Sequence, residues 1–192
     1  MWDVIELKMK FYIAIVPAVL SFYTMNVLLD LTFLKSLSYT VTLLTVLAYV
    51  VGKYLWKYIY FDFLNKYICP NINGSWVAYI DSNFEGGVKV QLPVIIKADF
   101  FDITMSIKTT VGRSYASYCK VIKMNDGSYE LQYIFNVKNY TVLSTDSDCY
   151  DGAARLEIDV NDLKRMQGVF WTNRNWRDNK NTAGKIIMSR ES

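Results

Sequence analysis

The sequence predicts an N-terminal transmembrane α-helical hairpin followed by an all-β domain, a compact antiparallel eight-stranded β-barrel. Two uncharged apolar stretches fill the first third of the chain. From residue 74 onward the apolar period changes to two. Between them, NINGSWVAYI (71–80) runs turn-forming residues straight into a tryptophan and an alternating strand. A Gly-x-Trp at the mouth of a first strand suits a small closed barrel: the glycine admits a sharp entry and the indole plugs one end.

The 192 residues make room for one ordinary domain and an appendage; 52% are hydrophobic, and the apolar excess is uneven. Residues 11–29 carry no charge and are long enough to cross a hydrocarbon core of ~30 Å at ~1.5 Å per residue. Residues 36–52 are also uncharged, with the apolar pattern running on to 57, and only Asp30-LTFL-Lys35 separates the two. A secretory leader does not continue into a second apolar segment, and a soluble helix pair keeps a polar face that neither stretch has. The spans are therefore about 11–29 and 36–57, within an anchor of residues 1–69. Pro17 is tolerated in such a helix.

Lys8 and Lys10 precede the first span, and Lys53, Lys57 and Lys66 follow the second, against Lys35 alone in the connection. Positive charge near span ends puts both termini on the cytoplasmic side of the membrane. Three cysteines at no metal-ligand spacing, one beside Pro70, fit a reducing compartment. The net charge of +3 is mild and arises largely beside the spans, which argues against a DNA or RNA polymer as partner.

Eight strands are expected in residues 70–192, at 74–80, 87–97, 102–110, 113–124, 128–138, 153–160, 166–172 and 183–190. Trp76, Ala78 and Ile80 share one face, as do Val88, Val90, Leu92, Val94 and Ile96. Ile103, Met105 and Ile107 repeat the pattern, then Tyr129, Leu131, Tyr133, Phe135 and Val137, then Leu156, Ile158 and Val160. Turn residues separate them at 83–87, Val111-Gly112, Asn125-Asp126-Gly127, Asp151-Gly152 and 179–184. With little helix pattern to cover them, closure into a barrel is favoured over bare edges, a β-sandwich being the alternative.

The chain has no histidine and no G-x-S-x-G, P-loop, H-E-x-x-H or C-x-x-C, so no catalytic constellation can be named. The acidic stretch Asp146, Asp148 and Asp151 does not satisfy a calcium-loop pattern and reads as a solvated loop, with no metal or other cofactor expected. FWTNRNWR (170–177) is the densest in binding chemistry: flat indoles, planar cations and amides that together stack a base, pair its edge and clamp a phosphate. The other reading of it is a strand end where Trp and Arg pack on each other. From chemistry and expected facing, Arg174, Trp171, Asn173, Tyr133 and Thr109 are the candidate ligand residues. The facing slips by one at any bulge.

A two-helix anchor joined directly to a barrel that begins Asn73-Gly74-Ser75-Trp76 and closes with GVFWTNR (168–174) and TAGKIIMSR (182–190) resembles one known family. Its members are the two-transmembrane β-barrel effectors of bacterial cyclic-oligonucleotide-based antiphage signalling (CBASS). The likeness covers essentially the whole chain and rests on the combination and order of these features. It implies a partner synthase that makes a cyclic dinucleotide or related cyclic oligonucleotide on infection. The barrel would bind that ligand and the chain would form homo-oligomers in the bacterial inner membrane. The lipid bilayer would then be compromised, and the infected cell would stop growing or die. The competing class is a membrane-anchored lipocalin-like carrier of apolar ligands, or an envelope structural protein, since most inward positions are apolar.

Overall fold

The computed structural model describes residues 2–59, 69–83, 87–140 and 147–191. Helix α1 (Leu7–Tyr23) continues through a π-helical turn, Thr24–Leu28. Helix α2 (Phe33–Val50) continues likewise through Val51–Leu55 into the short α3 (Trp56–Ile59). The first two, with their π turns, are long and apolar enough to cross a membrane. Both start a few residues ahead of the expected 11 and 36, because the flanking lysines and leucines are good helix formers. No α1 residue is fully buried, and α2 buries only Ser36 and Thr40, so most of the hydrophobic surface of both helices faces outward. One polar and one aromatic contact close the hairpin: Asn26 Nδ2 donates to the Leu31 carbonyl at 3.0 Å, and Phe22 meets Phe33 edge-on at 5.5 Å.

The strands are β1 (Gly74–Ser82), β2 (Val88–Ala98), β3 (Ile103–Lys108), β4 (Gly112–Lys123), β5 (Tyr129–Asn139), β6 (Cys149–Ile158), β7 (Arg165–Thr172) and β8 (Ala183–Arg190). Each pairs antiparallel with the next, and β8 returns to β1, giving the closed eight-stranded barrel expected from the sequence. Closure satisfies every edge, which a sandwich does not.

The inward set follows the period of two. Trp76, Ala78, Val94, Ile96, Met105, Leu131, Leu156 and Met188 are all buried. Full burial of such side chains stabilises by about 1.5–3 kcal/mol each. Trp76 closes one end: its indole N–H donates to the Ile72 carbonyl at 2.9 Å, and the Arg190 guanidinium lies 4.9 Å from its ring centroid. Gly74, with φ of 141°, makes the entry that a side chain would oppose. A bulge at Ser117 shifts the register of β4 against β5, so Ala116 and Cys119 both turn toward the core across it.

Three turn assignments need correction. Asp151-Gly152 lies inside β6, which starts four residues ahead of the expected 153. The glycine is there for space: a Cβ on it would sit 2.4 Å from Phe135 Cζ. Gly112 and Gly184 likewise belong to β4 and β8 rather than to the turns before them. Asp146, Lys66 and the middle of the 83–87 turn lie outside the described residues.

The closed end of the barrel meets the helices. The Phe100 N–H, in the β2–β3 turn, donates to the Gly52 carbonyl at 3.1 Å, and the Trp2 N–H donates to the Phe100 carbonyl at 2.8 Å. Lys53 pairs with Asp99, and Trp56 is buried in the same cluster as Trp76. Burial pushes the Asp99 carboxyl up, but Lys53 and the backbone N–H groups of Asp102 and Phe101 outweigh it and hold it below the ordinary range. The first helix therefore starts, and the second ends, at one end of the barrel. The other end is turned away from both.

Candidate functional site

Alternation fills the barrel only up to its middle. Beyond Trp76 and Leu131 the inward positions become Ile80 on β1, Ile107 on β3, Ser114 on β4 and Thr172 on β7, too small or too polar to fill the space. A cavity of about 400 Å3 results in the half away from the helices. That size falls within the roughly 300–1,000 Å3 typical of small-molecule sites. Its deeper wall is apolar and aromatic, with Met105, Ala116, Tyr133, Phe135, Phe170 and Ile186. Its rim is polar, with Thr109, Ser114, Asn139, Thr172, Arg174 and Thr182. Arg113 and Tyr150 also line it, and no carboxylate does among the described residues.

Three of the five candidates come together here. Tyr133 is 5% exposed, its ring tilted against Phe135 at 5.6 Å, and no hydrogen bond to its hydroxyl is found among the described residues. Burial pushes its phenol well above the ordinary value, so it stays a neutral donor. Arg174, just past β7, places its guanidinium 5.4 Å from the Tyr150 ring centroid, which leaves a half-buried planar cation at the rim. Thr109 lines the rim with much of its hydroxyl capacity spent. It donates to the Gly112 carbonyl at 3.0 Å and accepts from the Gly112 N–H at 3.2 Å, tying the β3–β4 turn.

The other two candidates are placed elsewhere. Trp171 is 46% exposed on the outer wall, because Phe170 and Thr172 take the inward positions on either side of it. Asn173 has the same parity and is also exposed. Its N–H donates to the Asp151 carbonyl at 2.9 Å and its Oδ1 accepts from the Asp151 N–H at 2.7 Å, so it holds β7 to β6. From Phe170 to Arg174 the even residues face the cavity and the odd ones do not. Trp176 lies on the surface, with Arg177 5.6 Å from its ring centroid.

Thr172 and Thr182 were not legible as site residues. Their hydroxyl oxygens lie 2.6 Å apart, both side chains buried. Thr172 Oγ1 accepts the N–H groups of Arg174 and Thr182, each at 3.3 Å. With two N–H groups accepted, the Thr172 proton is directed at Thr182 Oγ1, and the Thr182 proton remains for the cavity. The available signal was parity with Phe170 and Arg174 along β7. Cys119, across from Tyr133 in the β4–β5 register, is a half-buried neutral thiol pushed up to about 12 by desolvation and, secondarily, by Asp102.

A cavity with aromatic walls, two arginines and no described acid suits a flat anionic ligand. Residues 67–190 match a family model described as "Cap15, cyclic dinucleotide receptor domain". The chain belongs to this family. Membership is reinforced by CD-NTase-associated protein 15 of Escherichia albertii, 48% identical over 191 residues that span 100% of this chain and 98% of that one. The resemblance to CBASS effectors drawn from the sequence is thereby borne out. The family match begins just before Cys69 and takes in all eight strands, so the Cap15 receptor domain and the barrel coincide.

Proposed function

We propose that the barrel binds a cyclic dinucleotide in its open half and that the chain is a non-catalytic effector of CBASS defence. One observation carries this reading. In a chain of the cyclic dinucleotide receptor family, the cavity places Arg174 and Arg113 at an aromatic-walled rim with no described carboxylate. A carrier of apolar ligands would have no use for buried hydroxyls and cations there. The ligand's two bases suit Tyr133, Phe135 and Phe170. Its phosphates suit Arg174, the Thr182 hydroxyl and, from the deeper wall, the Tyr133 hydroxyl. Thr109 shapes the rim, and Trp171 and Asn173 support it from outside. The name of the E. albertii relative supports a cyclic-nucleotide synthase as functional partner.

In this reading the helices cross the bacterial inner membrane as a hairpin, with both termini cytoplasmic. The start of α1 and the end of the second span both meet the barrel's closed end, which supports a single side for all three. Strand β3 runs from the cavity rim at Ile107 to the turn that holds Gly52 and Trp2. A ligand that favours one setting of this strand shifts the helices with it, in proportion to its differential affinity for the two settings. Self-association in the membrane plane then disrupts the bilayer, where confinement raises the effective concentration of weak contacts.

The test is a thermal-shift screen of the full-length protein in detergent against cyclic di-AMP, cyclic di-GMP, cyclic di-UMP, mixed purine and purine–pyrimidine cyclic dinucleotides, and cyclic trinucleotides. At least one dinucleotide is expected to raise the melting temperature and to shift the protein to larger assemblies. No shift with any of them rejects the reading.

A further inference from the structure

On the outer wall Asp81 sits between Lys89 and Lys185 in register, and the like-charge pair Glu130–Glu157 has Arg155 bonded to Glu130. One row of like charges has no such counter-ion. Lys108 on β3 is opposite Arg113 on β4, and Arg113 is opposite Lys138 on β5. All three are exposed, and none has an acidic group within 4.0 Å among the described residues. Like charges in directly opposite positions destabilise a sheet, so the fold gains nothing from this arrangement.

The row follows the cavity mouth. Lys108 lies between Ile107 and Thr109, Arg113 between Gly112 and Ser114, and Lys138 between Val137 and Asn139, and every one of those neighbours lines the cavity. The helices are at the opposite end of the barrel, so lipid headgroups beside them are out of reach. The charge is also arranged as a field. Three cations on three adjacent strands continue the positive potential of Arg174 outward from the rim, over a wall of low dielectric.

We infer that Lys108 and Lys138, on either side of the rim residue Arg113, form an entry ramp that steers a dianionic nucleotide into the cavity, acting on the rate of capture rather than on the strength of the hold. This rests on the proposal that the cavity takes a cyclic dinucleotide. A second messenger is read at low concentration early in a signal, when association rate limits the response. Lys108 and Lys138 point away from the cavity and are lost from the complex without any bound contact being broken.

The experiment is stopped-flow binding of a 2-aminopurine-labelled cyclic dinucleotide, of the kind that stabilises the wild type in the screen above, to full-length protein in detergent. The variant is Lys108→Gln/Lys138→Gln. Its association rate constant is expected to fall about five- to ten-fold at low ionic strength, within the range of electrostatic steering. Its dissociation rate should stay within about two-fold of wild type, and the two proteins should converge at ~1 M salt, where the screening length is ~3 Å. Melting at the same or a higher temperature verifies the fold, since a repulsion has been removed. An unchanged association rate overturns the inference. So does a rise in dissociation that matches the fall in association, which would make the lysines direct contacts. Altered self-association with unchanged capture would assign the row to an interface between copies and also overturn it. Should the wild type bind none of the dinucleotides, the functional proposal itself falls, a result separate from these.

Discussion

Phe101 lays its ring in the notch left by Gly52: a Cβ at that glycine would come within 2.3 Å of Phe101 Cε2. Gly52 is buried although it lies in the second apolar helix, and its carbonyl accepts the Phe100 N–H. Gly52→Ala improves helix propensity by about 1 kcal/mol but forces the ring out, and overpacking of this kind costs about 1–3 kcal/mol. The expected result is normal nucleotide binding with weakened phage protection. Adding Phe101→Ala should restore protection, because the two changes act on one contact. Protection that stays normal in Gly52→Ala would show that this contact carries no signal.

Arg174 should govern how long the nucleotide stays. Arg174→Met keeps an unbranched stem beside Tyr150 and removes the charged fork. The loss of a charge-assisted hydrogen bond should weaken binding by about 1.5–3 kcal/mol, roughly ten- to a hundred-fold, mainly through faster dissociation. Arg174→Lys should fall between the two, since it retains the charge without the planar geometry. Isothermal titration and protection assays on the three full-length proteins test this. Equal affinity in wild type and Arg174→Met would remove the residue from the site.

The barrel was legible because alternation is a direct record of which side chains meet inside it, from Trp76 on β1 to Leu156 on β6. The apolar hairpin was legible for the same reason, as charge-free length. The site was only half legible. Within FWTNRNWR, composition marks every residue as a binder, but backbone parity sends Trp171 and Asn173 outward and Thr172 and Arg174 inward. Weighing Phe170 as a core residue first would have set that parity. The Thr172–Thr182 pair depends on a cross-strand register fixed by the β7–β8 pairing, to which local pattern is blind. Gly152 misled in the opposite way, since a glycine that makes room for Phe135 looks the same in sequence as one that makes a turn.

Tyr133→Phe removes one hydroxyl that no described protein group satisfies. Stability should therefore be unchanged or slightly higher, as the hydroxyl opens into the cavity and holds no other part of the fold. Nucleotide affinity should fall by about 0.5–1.5 kcal/mol, the net worth of one neutral hydrogen bond, or roughly two- to twelve-fold. Paired melting curves with and without ligand separate the two effects. A variant that melts several degrees lower without ligand would mean that the hydroxyl serves the fold.

The last expectation concerns acid stability and is read at Glu130. Arg155 donates from Nε to Oε1 and from Nη2 to Oε2 of this carboxylate, each at 3.0 Å. Burial raises the Glu130 pKa, but the bonds from Arg155 and Gln132 outweigh it and leave it below its ordinary 4.5. A carboxyl with a depressed folded-state pKa contributes stability that is fully present above its unfolded value. That contribution drains away as pH falls through the folded value. Because Arg155 is half exposed, solvent screens the pair and its contribution at pH ~7 should be small. Glu130→Gln should thus melt lower than wild type at neutral pH, and the gap should narrow below pH ~4.5 and close once Glu130 is protonated in both states. A gap of constant size from neutral to strongly acidic pH would show that the mutation acts through packing and that the ion pair contributes nothing to the barrel wall.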